Sequence, residues 1–562
     1  MDNVRSSWKF HFDIEPFSTF CRREWRAIAF FGGGFCVVTL AAILLIDPAF
    51  FYPRLQTDPL NYWLKAKSLV ENGNTAARWA VNIPPFNYAA MPGVLRAPLM
   101  AMFTDFDDQL RAIQILNIPL VGLVTLLSAY ILSWAVPAGK HWMTIGFAFA
   151  FTLLDPVWVN NIFLPLVDAP YALFTLMAIV ISMRLVCSTP RARDQPVMLA
   201  VYVVVFLIAF LLRFTAPVVF LFPMVLLVGR RAAGPISHKR IAIASLLAVI
   251  VLALLIQLNA EAIFGRYASE LVGYARNAEK GGMILNLLGA AIPAQILPNF
   301  MQGFVHPPIF YYYYAVFFSS RAQAAWLMFG LLICAVAMIG AWRGRKRFLP
   351  EILYFLASAP IFALMMPSTA RYLKPYQPFL WIFFYVGAAF LYKRYRASIP
   401  SRMRSRTFGI AVALIAVAMV VGIRAWRFGG TASEKKFAVT IARAPQYVTD
   451  VSSTFRGLRG YIESLPRDRA LLVSDRGSMG RWKAIAGHDY YYPDTTMRRV
   501  AANKELYLVV ECGTMEGCQY WDEWRHRLEQ RAGRYGKFRY DSVYGIARPR
   551  ARAEVYRILN SE

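Results

Sequence analysis

The chain has 562 residues, of which 57% are hydrophobic and 17% charged, and its mean hydropathy is +0.41. That composition excludes a disordered or fibrous protein and falls well short of the roughly 25% charge of soluble globular domains. Lys and Arg number 61 against 33 Asp and Glu, a net charge of +28. In so apolar a chain this excess is expected in loops on one side of a membrane, and no nucleic-acid partner is expected. Six cysteines in this length do not make a disulfide scaffold.

Apolar runs of about 18 residues or more have the length to cross a hydrocarbon core of roughly 30 Å as a helix. In chain order they lie near 27–46, 113–135, 241–259, 322–341, 349–366, 375–392 and 407–425. A broken pair occupies 143–160 and 169–186, and 197–229 is long enough for a hairpin of two short spans. The first run is not a cleavable signal, because Arg22, Arg23 and Arg26 precede it and no small-residue cleavage site follows. Basic clusters at 22–26, 184–193, 230–240, 343–347 and 393–406 favour the cytoplasm. With all of them inside, about eleven spans are predicted, with the N-terminus in and the C-terminus out. The second inner loop is the thinnest support, offering only Lys140 and His141.

The expected fold is therefore an all-α polytopic membrane module over 1–427, followed by a soluble extracytoplasmic α/β domain over 428–562, of a size that can fold alone. Within this tail, short strands are predicted at 470–473 and 506–510, and helices at 447–465 and 520–531. Cys512 and Cys518 lie on the oxidising side of that topology, where a short-range disulfide is plausible. Short inner loops suit a bacterial inner membrane.

Two long loops, 47–112 and 260–321, are expected to face outward, and long ordered loops are usually functional. Both contain amphipathic stretches suited to a bilayer surface. In the first, 58–69 places Leu60, Trp63, Leu64, Ala66 and Leu69 mostly on one side of a helix. Asp58 followed by Pro59 is a good N-cap. It is equally suited to be a base at the membrane surface, and the two roles are compatible. Asp105, Asp107 and Asp108 fit a divalent cation, but a solvated acidic helix start explains them better. Asp155 is explained by a turn before Pro156. Asp168 stands at the outer mouth of the fourth span; an acid there is a functional candidate by default, against the alternative of a cap before Pro170.

Later in the chain, His306 and two prolines lead into four tyrosines, 311–314. They read equally as an interfacial aromatic belt. The loop PSTARYLKPYQPF, 367–379, is outside by parity yet carries Arg371 and Lys374 beside a span. Such a break with the positive-inside trend suggests an anionic phosphate partner, held by the Arg fork and the Lys point charge, against the alternative of snorkelling to headgroups. Arg213, at the tip of the short hairpin, breaks the trend in the same way.

These pieces resemble the GT-C superfamily of integral-membrane glycosyltransferases. The pattern D-x-x-x-Y-x-x-x-A-x-x-L (Asp58, Tyr62, Ala66, Leu69) is followed by Pro84–Pro85, by the acid of the fourth span, by H-P-P-x-x-Y-Y-Y and by R-Y-L-x-P-x-x-P. Order and spacing are similar over about 20–425 to the branch of protein O-mannosyltransferases and the aminoarabinose transferase of lipid A. The resemblance implies inverting transfer of a sugar from a polyprenyl-phosphate donor to an acceptor hydroxyl at the outer face. It casts Asp58 as general base and Asp168 as the second acid. Arg371, Tyr372 and Lys374, with Arg213 beside them, would face the donor phosphate, and Tyr62, His306, Tyr311 and Tyr312 would line the substrate cavity. The acceptor is a lipid, a glycan or a protein. No cofactor is called for; Pro59 stands where some relatives have a second acid, which argues against a metal, although one stays open. A transporter or flippase, or a polymerase or ligase of lipid-linked saccharides, shares many of these features. A transporter often carries an internal repeat, and none is visible here.

Overall fold

The computed structural model describes residues 15–55, 57–78, 80–82, 91–187, 195–212, 320–364, 374–395, 444–473, 481–492, 494, 496–512, 526, 530, 538–548 and 551–560. The predicted spans near 241–259 and 407–425, residues 213–229 and most of the predicted helix 520–531 lie outside them.

From the N-terminus, α1 (Phe17–Arg23) leads into α2 (Trp25–Leu45), and a 3-10 turn at Pro48–Arg54 into α3 (Thr57–Asn72). Short α4 (Met91–Val94) and α5 (Ala97–Met102) precede α6 (Phe106–Ser133), α7 (His141–Leu154), α8 (Pro156–Phe163), α9 (Asp168–Cys187) and α10 (Gln195–Leu212). Next come α11 (Ser320–Leu364) and α12 (Gln377–Tyr395). Three of the described helices, α2, α6 and α9, are long and apolar enough to cross a membrane. A fourth span is present if α7 and α8, bent by 70° at Asp155, are taken as one. The predicted pair 143–160 and 169–186 falls on α7–α8 and on α9, and this bend lies within its first member. The two runs predicted at 322–341 and 349–366 are both helical within α11, separated by non-helical backbone at Phe348.

α2 is apolar beyond Arg26, and Phe30 is 74% and Leu45 85% exposed, an outward apolar surface that water would penalise and lipid would cover. α6 lies deeper: Val121, Val124 and Ile131 are buried, and Thr125 reaches the Thr152 hydroxyl of α7 at 2.9 Å. The acidic start of α6 is a capped one, with Asp105 accepting from the Asp107 N–H at 2.7 Å.

The tail folds as predicted in kind and carries more than the predicted elements. α13 (Ala444–Ser464) covers a five-stranded sheet of order β2-β1-β3-β5-β4, formed by β1 (Ala470–Val473), β2 (Tyr490–Tyr491), β3 (Glu505–Cys512), β4 (Phe538–Arg548) and β5 (Ala551–Asn560). β1 pairs in parallel with β2 and β3, whereas β5 runs antiparallel to β3 and β4. Helices α14 (Arg481–Ala486) and α15 (Met497–Asn503) fill the connections. Cys512 takes part in a disulfide; Cys518 lies outside the described residues.

α11 and α12 touch backbone to backbone. A Cβ on Gly340 would fall on the Phe383 carbonyl oxygen and 2.6 Å from the Gly387 nitrogen, and one on Gly387 would fall on the Val336 carbonyl. Only small residues allow membrane helices to approach so closely. Gly387→Ala is expected to force the helices apart and cost about 1–3 kcal/mol, as overpacking does; thermal unfolding in detergent, with Gly33→Ala as the control at an open position, measures it.

Candidate active site

A turn connects α8 to α9, and four carbonyls in and just before it meet side-chain donors. Gln114 of α6 donates to the Phe163 oxygen at 3.0 Å, and Asn117 to those of Ile162 and Leu164 at 3.3 and 3.2 Å. Arg96, just ahead of α5, donates to the Leu166 oxygen at 2.6 Å and to Pro92 at 2.7 Å. Buried carbonyls without partners are costly, so these donors fix the turn. It delivers Asp168, which is buried in the first turn of α9.

The sequence offers Asp168 as the cap of α9; the structure places it in the helix's first turn, beside the Ala169 N–H that the Asn161 side-chain oxygen accepts at 3.0 Å. The Asp168 carboxyl instead lies within electrostatic reach of Arg96. Burial pushes the Arg96 guanidinium down to about 10, and Tyr62 and Asp168 oppose that shift.

Arg96 also links this turn to the first outer loop. Its guanidinium carbon lies 5.5 Å from the centre of the Tyr62 ring, a cation–π distance. Tyr62 belongs to α3, so the loop-one motif and the acid of the fourth span meet through one arginine. Helix α3 begins at Thr57, one residue before the expected cap. Asp58 therefore stands inside the first turn with Pro59, where a proline removes only an N–H that has no helical partner. The Asp58 side chain lies outside the described residues; Tyr62 and Lys65, three apart, share one side of α3. Lys65 is buried, which pushes its ammonium down to about 8. α4 closes over this stretch at Gly93, where a Cβ would come within 2.9 Å of the Lys65 Cβ and 3.2 Å of the Ala66 nitrogen.

Lys374 has a different partner from the phosphate expected of it. Its ammonium sits on the Asp155 carboxylate, with both side chains closed to solvent. The other Asp155 oxygen caps α8 by accepting the Val157 N–H at 2.9 Å. Asp155 is thus more than a turn residue: it pins the break of the α7–α8 span to the segment entering α12. Beside this pin the rings of Tyr354 and Tyr376 lie 5.4 Å apart, fully buried. Of the remaining predicted site residues, Arg213, His306, Tyr311, Tyr312, Arg371 and Tyr372 lie outside the described residues. Asp105 and Asp107, the alternative cation ligands, are engaged by Arg459 and Tyr52. The sequence reading missed Arg96 and Lys65, although each is a basic residue in an expected outer loop, the signal that singled out Arg371.

The fold has counterparts among solved structures. ArnT from Cupriavidus metallidurans in the apo state aligns over 93% of this chain and 98% of its own, at 13% identity and a TM-score of 0.51. ArnT bound to undecaprenyl phosphate aligns over the same shares at 14% identity and 0.51. The chain shares the fold of these structures. Identity at this level establishes architecture only; no protein-family model matches the chain, and no curated protein does. A likeness to archaeal oligosaccharyltransferase AglB from Archaeoglobus fulgidus, at 14% identity over 96% of this chain and 75% of that one, has a TM-score of 0.49.

The Asp155–Lys374 pair gives a direct prediction. Lys374→Met leaves a buried carboxylate uncompensated and is expected to destabilise by about 3–5 kcal/mol. Adding Asp155→Asn removes the charge while still accepting the Val157 N–H, and should recover most of the loss. Thermal unfolding of the two variants in detergent measures the difference; equal stability would mean that Asp155 does not bear the charge.

Proposed function

We propose that the chain is a membrane glycosyltransferase that moves a sugar from a polyprenyl-phosphate donor to an acceptor hydroxyl at the outer face of a bacterial inner membrane. The observation that carries this reading is the meeting, through Arg96, of α3 and the turn before Asp168. It brings the two elements bearing the proposed acids to one place within a GT-C fold. The ArnT structure holding undecaprenyl phosphate supports a lipid-phosphate carrier as the donor's leaving group.

The chemistry follows from that assignment. The acceptor oxygen forms a bond to the anomeric carbon from the face opposite the phosphate, so the centre inverts. The carbon–oxygen bond to the phosphate breaks, its electron pair stays on oxygen, and polyprenyl phosphate departs as an anion. Asp58 takes the hydroxyl proton, and Asp168 orients a substrate. The leaving anion needs positive charge more than it needs a proton. Arg371, Tyr372 and Arg213 are assigned to it as before. Lys65 and Arg96 add a positive field at the α3 side of the site. Lys374 is reassigned from the phosphate to holding the α12 entry through Asp155. A prenyl tail left in the lipid accounts for building such an enzyme in a membrane.

Asp58→Asn is expected to lower turnover by about 10²–10⁴-fold while the protein still inserts. The assay follows release of free polyprenyl phosphate by mass spectrometry, with purified enzyme in nanodiscs, glycolipids extracted from the host's membranes as donor and an envelope extract as acceptor. Wild-type turnover by this variant would remove the base and the reading with it.

A further inference from the structure

The C-terminal domain does not stand apart from the proposed site. Arg481, at the start of α14, is buried, and its guanidinium leaves the tail to bond loop one: Nη2 donates to the Pro53 oxygen at 3.2 Å and Nε to the Leu55 oxygen at 3.4 Å. Both carbonyls belong to the segment that leads into α3, and Leu55 is three residues ahead of Asp58. The remaining nitrogen pairs with Glu511 of β3, whose other oxygen accepts from the Trp482 indole at 3.0 Å. A sheet residue of the tail thus holds the arginine that holds the entry to α3.

Apolar contacts follow the same path. Leu60, Trp63, Leu64 and Ala66 of α3 share one buried cluster with Phe455 and Trp482 of the tail. Tyr62, one position from Trp63, belongs instead to the cluster of the membrane module. α3 therefore packs on both parts of the chain: its Tyr62 side lies in the module's cluster, and its Trp63 side in a cluster that the tail shares with Phe106 and Ile113 of α6.

We propose that Arg481 is a positioning residue, by which the C-terminal domain sets the start of α3 and so aims Asp58. This rests on the reading of Asp58 as base. Two exchangeable single bonds would leave the angle of α3 free. A planar fork bound to two loop carbonyls, those of Pro53 and Leu55, and to a buried carboxylate fixes it.

The test uses the full chain in nanodiscs. Arg481→Met alone would strand Glu511, so the working variant is Arg481→Met with Glu511→Gln, which keeps an acceptor for Trp482. Hydrogen exchange is expected to be faster by about tenfold or more in residues 57–72 and unchanged in 505–512. Turnover in the glycolipid assay should fall by about tenfold or more with the donor KM unchanged, because misplacement alone has costs of that order. Wild-type protection of 57–72, or unchanged turnover, overturns the proposal. Loss of protection in 505–512 as well overturns it too, since Arg481 would then be a fold residue of the tail. The exchange result does not depend on whether Asp58 is the base; failure of that reading shows in Asp58→Asn.

Discussion

Backbone carbonyls that turn at a membrane surface, shielded from water by protein, must be met by protein donors. That constraint shapes the end of the module where α3 meets α9. Two turns lead into the helices that carry the proposed acids, and both are held from outside by long side chains. Gln114, Asn117 and Arg96 take the carbonyls of the turn before Asp168. Arg481 takes those before Asp58. In each case an arginine bonds main chain rather than serving only as a counter-ion. An acid at the end of such a turn inherits the precision of its backbone, which is what a catalytic carboxylate needs.

The positive charge of the chain divides along the same lines. Near the N-terminus it is ordinary loop charge, as where Arg23 pairs with Glu15 at 2.6 Å. Around the proposed site several cations meet acids of the fold: Lys374 and Arg481 are buried on Asp155 and Glu511, while Arg459 reaches Asp105 at 2.7 Å and Arg456 reaches Asp47 at 2.6 Å. Asp105 shows the consequence. Burial alone would raise its carboxyl, but bonds from Arg459 and from the start of α6 hold it below the usual range. A basic residue that breaks the positive-inside trend can thus be explained by a buried acid as well as by a substrate phosphate, and sequence does not distinguish the two. Lys374 illustrates the first outcome.

What was legible in the sequence was what repeats locally. The apolar runs near 27–46 and 113–135 became α2 and α6, the broken pair became α7, α8 and α9, and the strand at 470–473 appeared at the expected residues. The amphipathic face of 58–69 became α3, with Leu60, Trp63, Leu64 and Ala66 buried as expected. The antiparallel pair β4 and β5 was not foreseen, because its exposed residues carry no clean alternation: β4 has Arg, Tyr, Asp and Ser side by side and a register shift between Ser542 and Tyr544. The role of Asn161 was hidden for another reason. Its bond to Ala169 spans eight residues and depends on a turn that α6 holds shut from elsewhere in the chain.

The tail was the part least readable as function, since nothing within 428–562 looks like a site. Its contribution emerges only in contact with residues some 400 positions earlier, such as Asn82, which donates to the Tyr492 oxygen at 2.7 Å and accepts from the Tyr492 N–H at 2.9 Å. A loop that lies on a membrane surface packs one face on the module and leaves the other to water unless something covers it. For α3 the face with Leu60, Trp63 and Leu64 is only partly met by Phe106 of α6, and it carries too much apolar area to leave the rest wet. The covering element is then free to do more than cover. Once Trp482 and Phe455 shield the apolar side, a guanidinium next to them works in a dry setting. There its bonds to Pro53 and Leu55 are worth more than they would be in water. The apolar cover and the polar clasp are thus one device, and neither would place α3 without the other.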